Sequence, residues 1–164
     1  MTIFVKNKHT LQIDEFKFRC CVGKKGVTRN KKEGDKKTPK GIFKIENLYF
    51  RKDRINKPIT SLKCVKIKKN MGWCHDTSYP KKYNKRIIRE NKIKHERLNR
   101  KDYKYDLLIP IKYNFTKPII GLGSCIFIHI TKNYKPTAGC IALKKKDFLI
   151  MLKLIKKNTK IKIF

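Results

Sequence analysis

Short apolar segments of strand length recur from one end of the chain to the other, each bounded by polar residues or turn formers. Apolar and polar side chains that alternate over such short segments are typical of β-strands. Only residues 145–157 repeat apolar side chains at the spacing of a helix face. The sequence therefore predicts a mostly β fold with minor α content and a C-terminal helix. The predicted strands are residues 2–5, 11–13, 16–22, 42–50, 107–111, 124–130 and 159–164.

Two longer segments interrupt this pattern. Residues 23–41 are polar and end in Thr-Pro-Lys-Gly, so we predict a long loop there. Residues 71–100 are charged and irregular, but they contain the only tryptophan, and their aromatic residues argue for order. Neither a repeat nor a linker is visible, and 164 residues suffice for one hydrophobic core. We expect residues 1–164 to form a single domain.

The chain carries 44 Lys and Arg against 12 Asp and Glu, a formal net charge of +32. Such a charge favours nucleic acids or other polyanions as partners. Lysine supplies most of it, with 36 Lys to 8 Arg, whereas Arg is the residue that reads guanine and phosphate with a bidentate fork. A compositional bias explains a lysine excess equally well. A basic nucleic-acid-binding module without catalysis is therefore the alternative function, although no known nucleic-acid-binding motif accompanies it.

No targeting or membrane signal is recognisable. Residues 1–20 lack the apolar run of a signal peptide, and no apolar segment approaches the roughly 20 residues of a membrane-spanning helix. We expect a cytoplasmic protein without a membrane span, which would reach the periplasm or cell wall only by an unrecognised route. The six cysteines are expected to be reduced thiols. They form no Cys-x-x-Cys pair, so neither a metal nor a cofactor is predicted.

The segment 125–143, with the sequence CIFIHITKNYKPTAGCIAL, is the most informative chemically. A strand over residues 125–130 would place three isoleucines on one face and Cys125, Phe127 and His129 on the other. A turn-rich stretch follows, and Cys140 begins a second apolar run. A loop of this length can fold back and bring the imidazole of His129 to the thiol of Cys140.

A cysteine beside a histidine can be activated as a thiolate nucleophile. Gly139 would let the backbone approach a substrate closely, and the amide of Cys140 could stabilise an oxyanion. The competing interpretation is a cysteine that packs as a small apolar residue near a core histidine. The sequence Pro-Thr-Ala-Gly-Cys suits a sharp turn that presents a nucleophile better than it suits a buried strand.

These residues resemble the YkuD-type L,D-transpeptidases. The signature of that family is a His on a strand, a short loop, and then Ser/Thr-His-Gly-Cys followed by an apolar residue. The matching residues here are His129, Thr137, Gly139, Cys140 and Ile141.

The sequence departs from the family signature at two positions, but the resemblance extends well beyond the signature. Ala138 stands where the family has its second His, and Ala142 where a polar residue is usual, so any role of those groups is absent or supplied elsewhere. Residues 38–43, Thr-Pro-Lys-Gly-Ile-Phe, look like an element that family members carry upstream. Similar blocks of a compact single-domain branch are residues 72–76, 83–84, 95–96, 105–106 and 113–114.

The resemblance implies a β-sandwich of mixed sheets with the Cys and His in a cleft. It also implies action on peptidoglycan tetrapeptide stems. Cys140 would attack the carbonyl of an L-centre to D-residue bond and form a thioester, and His129 would act as proton donor and acceptor. An amine acceptor would make the enzyme an L,D-transpeptidase, and water would make it an L,D-carboxypeptidase. Both outcomes remain open.

Other site residues and partners follow from the same comparison. Gly139 and Thr137 would support the oxyanion region, and Trp73, Tyr113 and Asn114 are predicted to contact the substrate. The expected partners are peptidoglycan stem peptides or muropeptides rather than a specific nucleic acid. We expect a monomer that uses no cofactor or metal.

Overall fold

A computed structural model describes residues 1–164, and β-strands account for most of its regular structure. The strands are β1 (Thr2–Lys6), β2 (Thr10–Ile13), β3 (Phe16–Cys21), β4 (Val27–Thr28), β5 (Thr38–Pro39), β6 (Gly41–Lys44), β7 (Leu48–Phe50), β8 (Cys64–Lys66), β9 (Met71–Cys74), β10 (Arg86–Ile88), β11 (His95–Arg97), β12 (Leu107–Pro110), β13 (Phe127–Ile130), β14 (Ile141–Leu143) and β15 (Lys160–Ile163). The single helix is α1 (Lys145–Leu154). The predicted mostly β fold with a C-terminal helix is confirmed.

Ten of the strands form one mixed sheet in the order β6-β15-β1-β2-β3-β14-β13-β12-β7-β8. Most neighbours are antiparallel, but β1 with β15, β13 with β14, and β7 with β8 run parallel. Ile45, just after the edge strand β6, bridges to Ile111 at the end of β12. Two distant parts of the sheet are thus brought together, and the sheet curls around a core.

The main core fills the inside of this curled sheet. Buried side chains alternate along β1 and β2, as the pleat requires when one face is covered. Helix α1 closes the core with Phe148, Met151 and Leu152, which are fully buried. Burial of each of these side chains stabilises the fold by about 2 kcal/mol.

The structure corrects several predicted boundaries. The predicted strand 42–50 is two strands, because the chain leaves β6 at Ile45 to bridge Ile111 and then enters β7. The predicted loop 23–41 contains the short parallel pair of β4 and β5. The helix ends earlier than predicted, because Ile155 adopts an extended backbone.

Residues 71–100 are more regular than their sequence indicates. They form a separate three-stranded antiparallel sheet in the order β10-β9-β11. Its central strand carries Trp73, whose side chain packs against Phe127 of β13 in the ten-stranded sheet. Pairing among these strands makes residues 71–100 ordered, as their aromatic residues indicated.

No helix in this fold combines the length and the apolar character needed to cross a membrane.

Candidate active site

Two adjacent parallel strands bring His129 and Cys140 together. In the pairing of β13 with β14, Ile128 is opposite Ile141 and His129 is opposite Ala142. Cys140 immediately precedes β14, so its thiol lies beside the end of β13 and accepts a hydrogen bond from the Phe127 amide at 3.4 Å. His129 and Cys140 both line one cavity of about 450 Å³.

The predicted alternation is present from Ile126 to Ile130, but β13 begins only at Phe127, because Cys125 has a φ of +54° and lies outside the strand. Ile126, Ile128 and Ile130 belong to the main core. Phe127 lies on the other face, where it packs with Cys140 in a smaller apolar cluster. His129 and Cys140 therefore lie outside the main core, His129 on the opposite face of β13 and Cys140 beside that face.

The thiol of Cys140 is largely buried at the wall of the cavity. Only 8% of the residue is exposed, and its Sγ donates a hydrogen bond to the Cys125 carbonyl at 3.2 Å. Burial raises the pKa of Cys140 to about 12, and the Phe127 amide offsets this rise in part. Cys140 is therefore a protonated thiol at neutral pH.

The imidazole of His129 is neutral as well. Burial lowers its pKa to about 4. Its Nδ1 lies 3.0 Å from the Ile130 carbonyl oxygen, and because that oxygen only accepts hydrogen bonds, Nδ1 carries the proton. The lone pair of Nε2 remains available as a base. A backbone carbonyl orients the ring, and the Tyr105 ring packs against it with centroids 5.4 Å apart.

A turn held by side-chain hydrogen bonds precedes Cys140 and includes Gly139. Thr137 Oγ1 donates to the Cys140 carbonyl at 2.6 Å and accepts from the Gly139 amide at 3.1 Å. Gly139 has a φ of +145°, and a Cβ there would lie 2.9 Å from the Lys37 carbonyl oxygen. The hydrogen bonds outside the strand ladders do not use the Cys140 amide. This amide is a candidate oxyanion donor.

Thr38 anchors this turn from the N-terminal third of the chain. Its buried hydroxyl donates to the Gly139 carbonyl at 2.8 Å and accepts from the Gly23 amide at 2.8 Å. Gly23 also bridges to Thr137. The Thr-Pro-Lys-Gly element therefore holds the backbone just before Cys140.

Asn84 organises the region behind the thiol. Its Oδ1 accepts hydrogen bonds from the Cys125 amide at 3.1 Å and from the indole N–H of Trp73 at 2.9 Å. Its Nδ2 donates to the carbonyls of Tyr113 and Asn114. Asn84 thus fixes Cys125, whose carbonyl accepts the hydrogen bond from the Cys140 thiol. In the sequence, Asn84 was noted only as part of the Tyr-Asn block at residues 83–84.

Three residues predicted to contact substrate lie outside the catalytic cavity. Trp73 is 2% exposed and lies against Phe127, with ring centroids 5.3 Å apart. The Tyr113 hydroxyl donates to the Leu122 carbonyl at 2.6 Å. The Asn114 side chain bonds both backbone polar groups of Ile119. In this structure these residues support the architecture around the site.

The cavity also contains charged residues. The Arg100 guanidinium forms a bidentate pair with Asp102 and a further bond to Glu96 at 2.7 Å. It also lies 5.0 Å from the centroid of the Tyr105 ring. Glu96, Arg100 and Tyr105 line the same cavity as Cys140. Glu96 and Tyr105 fall within the sequence blocks 95–96 and 105–106, whereas no sequence signal indicated Arg100.

Metal-binding clusters are not formed, since no group of three or more His, Cys, Asp or Glu side chains is placed to hold an ion. The chemistry available at the site is that of a thiol, an imidazole and a backbone amide.

Comparison with known proteins places this site in a family. No curated protein matches the sequence. Among solved structures, the fold is similar to that of Bdellovibrio bacteriovorus Bd1075, with 15% identity and a TM-score of 0.47 over 99% of this chain. The chain spans 47% of the length of that structure. The sequence profile of YkuD, the L,D-transpeptidase catalytic domain, matches residues 1–163, and the chain belongs to this family.

Proposed function

We propose that the protein is a cysteine acyltransferase that acts on the tetrapeptide stems of peptidoglycan through a thioester on Cys140. The observation that carries this proposal is the placement of His129 and Cys140 on adjacent parallel strands, where they line one cavity. Membership of the L,D-transpeptidase family supports the reaction class.

In the first half-reaction, Sγ of Cys140 attacks the carbonyl carbon between the L-centre and the terminal D-residue. Nε2 of His129 takes the thiol proton and then gives it to the leaving amine. The C–N bond breaks, the terminal D-amino acid leaves, and the stem stays attached as a thioester. The free Cys140 amide stabilises the negative charge on the carbonyl oxygen.

In the second half-reaction, Nε2 of His129 removes a proton from the incoming nucleophile, which attacks the thioester carbon. An amine of a second stem gives a crosslink, and water gives a shortened stem. The thiolate that leaves recovers its proton from the imidazolium. One acyl-enzyme thus accounts for both L,D-transpeptidase and L,D-carboxypeptidase activity.

The protonation state of the free site constrains this mechanism. Burial holds Cys140 as a thiol and His129 as a neutral base at pH 7. Proton transfer therefore accompanies substrate binding or attack, because burial disfavours a preformed thiolate–imidazolium pair. The thiol must also exchange its bond to the Cys125 carbonyl for one to His129. Ala138 leaves His129 as the only imidazole in the cavity.

The test is incubation of the purified protein with a tetrapeptide muropeptide, with and without an amine acceptor, followed by mass spectrometry. We expect release of the terminal D-residue and a covalent stem adduct on Cys140. A Cys140→Ala variant should release nothing. A Cys125→Ala variant is the matched control, because it removes the neighbouring thiol and should retain the adduct.

Two results would contradict the proposal, namely unchanged tetrapeptide and equal turnover by Cys140→Ala. Tripeptide in both reactions would identify a carboxypeptidase, whereas a dimer formed with the amine would identify a transpeptidase.

A further inference from the structure

Tyr105 is a buried residue whose hydroxyl has no partner in the protein. Only 7% of the residue is exposed. The hydroxyls of Tyr83 and Tyr113 donate to Glu33 and to the Leu122 carbonyl, whereas that of Tyr105 forms no hydrogen bond with another group of the fold. Every side-chain nitrogen or oxygen atom that is closed off from solvent has a partner. The Tyr105 hydroxyl must therefore reach open space.

The open space that Tyr105 lines is the cavity of the thiol and the imidazole. Tyr105, His129 and Cys140 line this cavity together. Tyr105 also belongs to the small apolar cluster that contains Cys140. The free hydrogen-bonding capacity of the hydroxyl is therefore available to a ligand that binds beside the thiol.

The ring that carries this hydroxyl is held on three sides. Its centroid lies 5.4 Å from that of His129 and 5.8 Å from that of Phe127. The Arg100 guanidinium lies 5.0 Å from the same centroid. A hydrogen-bond donor that is fixed in advance needs no reorganisation when charge develops beside it, and this property makes such donors effective in catalysis.

Stability does not explain the hydroxyl of Tyr105. A hydroxyl that is largely buried and has no partner gives no net stabilisation, because it gives up contacts with water without replacing them. Phenylalanine would place the same ring among the same neighbours at equal or greater stability. The hydroxyl is thus a polar group without a structural role at the wall of the candidate active site.

The hydroxyl is a donor under the conditions of the reaction. Burial raises the pKa of Tyr105, so the phenol keeps its proton at neutral pH. Attack by Sγ of Cys140 places negative charge on the carbonyl oxygen of the substrate. A carbonyl oxygen has two lone pairs and can accept two hydrogen bonds. The Cys140 amide is a candidate for one of them, which leaves a second position for a donor.

We propose that Tyr105 is a catalytic residue, whose hydroxyl donates the second hydrogen bond to the carbonyl oxygen that is under attack. The inference rests on the proposed function and adds a phenol hydroxyl to its thiol, imidazole and amide. The phenol keeps its proton throughout, and its hydrogen bond strengthens as the oxygen becomes negative. Because that charge exists only during the reaction, the hydroxyl should affect kcat more than KM.

The first experiment compares the parent protein with Tyr105→Phe, which keeps the ring and removes only the hydroxyl. With the tetrapeptide muropeptide, kcat should fall about 10²-fold and KM should stay within about twofold. Tyr79→Phe is the matched control, because it also removes a hydroxyl but from a residue that does not line the cavity. This control should retain the kcat and KM of the parent.

The second experiment uses p-nitrophenyl acetate, a small activated ester, so that it does not depend on the peptide substrate. Sγ of Cys140 attacks the ester carbonyl, and the thiol proton passes to Nε2 of His129. The C–O bond breaks, p-nitrophenolate leaves, and an acetyl thioester remains. After subtraction of the rate in Cys140→Ala, acetylation should be about tenfold slower in Tyr105→Phe than in the parent and in Tyr79→Phe.

The melting temperature tests a structural role of the hydroxyl. Tyr105→Phe should melt at or above the temperature of the parent, since the hydroxyl makes no bond within the protein. Tyr83→Phe should melt at a lower temperature, because it loses the hydrogen bond to Glu33. A lower melting temperature of Tyr105→Phe would assign its hydroxyl to stability and overturn the inference.

The two kinetic experiments separate this inference from the proposed function. Slower acetylation in Tyr105→Phe alone, with a tetrapeptide that the parent leaves unchanged, would retain the donor and refute the peptide substrate. Tetrapeptide turnover with equal kcat in the parent and Tyr105→Phe would retain the reaction and refute the donor. Acetylation at the parental rate in Tyr105→Phe would also refute the donor. A parent that reacts with neither substrate would overturn both proposals.

Discussion

The two faces of β13 differ in what they bury. One face contributes Ile126, Ile128 and Ile130 to a large apolar core, where burial stabilises the fold. The other face buries Phe127 and His129 beside Cys140, where burial moves two titratable groups away from their ordinary pKa values. The same physical process therefore gives stability on one face and shifts the pKa values of His129 and Cys140 on the other. Substitutions on the two faces should have separable effects.

The largest effect is expected from Cys140→Ala. This substitution removes the nucleophile, so release of the terminal D-residue should fall by at least about 10⁴-fold. The melting temperature should change little, because the removed atom is one sulfur at a cavity wall. Turnover assays and thermal denaturation of the same sample check both parts. Residual turnover above about 1% would contradict the assigned nucleophile.

His129→Gln should reduce turnover by about 10³-fold, since glutamine cannot accept and return the thiol proton. The acyl-enzyme should form slowly and persist, because the same imidazole activates the acceptor. Stopped reactions analysed by mass spectrometry distinguish the two steps. Unaltered rates would show that another group acts as the base.

Ile128→Ala tests the opposite face of the strand. The side chain is fully buried in the main core, so its truncation should lower the free energy of unfolding by about 3 kcal/mol. Turnover per folded molecule should remain within about twofold at a temperature where the variant is folded. Urea denaturation gives the first quantity and an active-site titration the second. A large loss of turnover in the folded variant would show that the faces are coupled.

The pH dependence of stability should reveal the buried imidazole. Burial lowers the pKa of His129 from 6.5 to about 4, so the unfolded chain binds a proton in this range before the folded protein does. The contribution of the neutral His129 to the free energy of unfolding is therefore fully present above pH 6.5. It is lost as the pH falls towards 4, by about 3 kcal/mol in total. Denaturation at pH 7 and pH 4.5 should show this decrease in the parent, and a smaller one in His129→Gln. An equal decrease in stability between pH 7 and pH 4.5 in the parent and in His129→Gln would contradict a buried neutral imidazole.

Thr38→Val should lower the free energy of unfolding by about 1 to 2 kcal/mol, because it removes two buried hydrogen bonds and preserves shape. The Gly139 carbonyl loses its donor, so the turn before Cys140 loosens and turnover falls severalfold. Thr38→Ser retains the hydroxyl and should recover turnover. If Thr38→Ser did not restore turnover, the loss of turnover in Thr38→Val would be due to altered packing rather than to the missing hydroxyl.

Local patterns in the sequence predicted that His129 and Cys140 come together, and both line one cavity. The alternation of residues 125–130 placed His129 and Phe127 on one face, and the glycine before Cys140 indicated a turn. These features depend on neighbouring residues alone. The strand assignments succeeded for the same reason, because pleating has a fixed period.

The supporting residues could not be predicted in this way. Thr38 reaches Gly139 across 101 residues, and Asn84 reaches the Cys125 amide across 41. Such pairs depend on sheet topology, which local periodicity does not encode. Trp73 was predicted to contact substrate, and in the structure its side chain packs against Phe127 and does not line the cavity of Cys140.

The pairing of the first strand with the last has a consequence for folding kinetics. β15 inserts between β1 and β6, and the site strand β14 pairs with β3, so the sheet joins the two ends of the chain. Contacts of such high sequence separation fold slowly, because loop closure precedes any gain from burial. A chain in which β15 has not yet paired lacks the completed ten-stranded sheet. The strand that carries His129 and the strand that follows Cys140 should therefore reach their final packing late in folding.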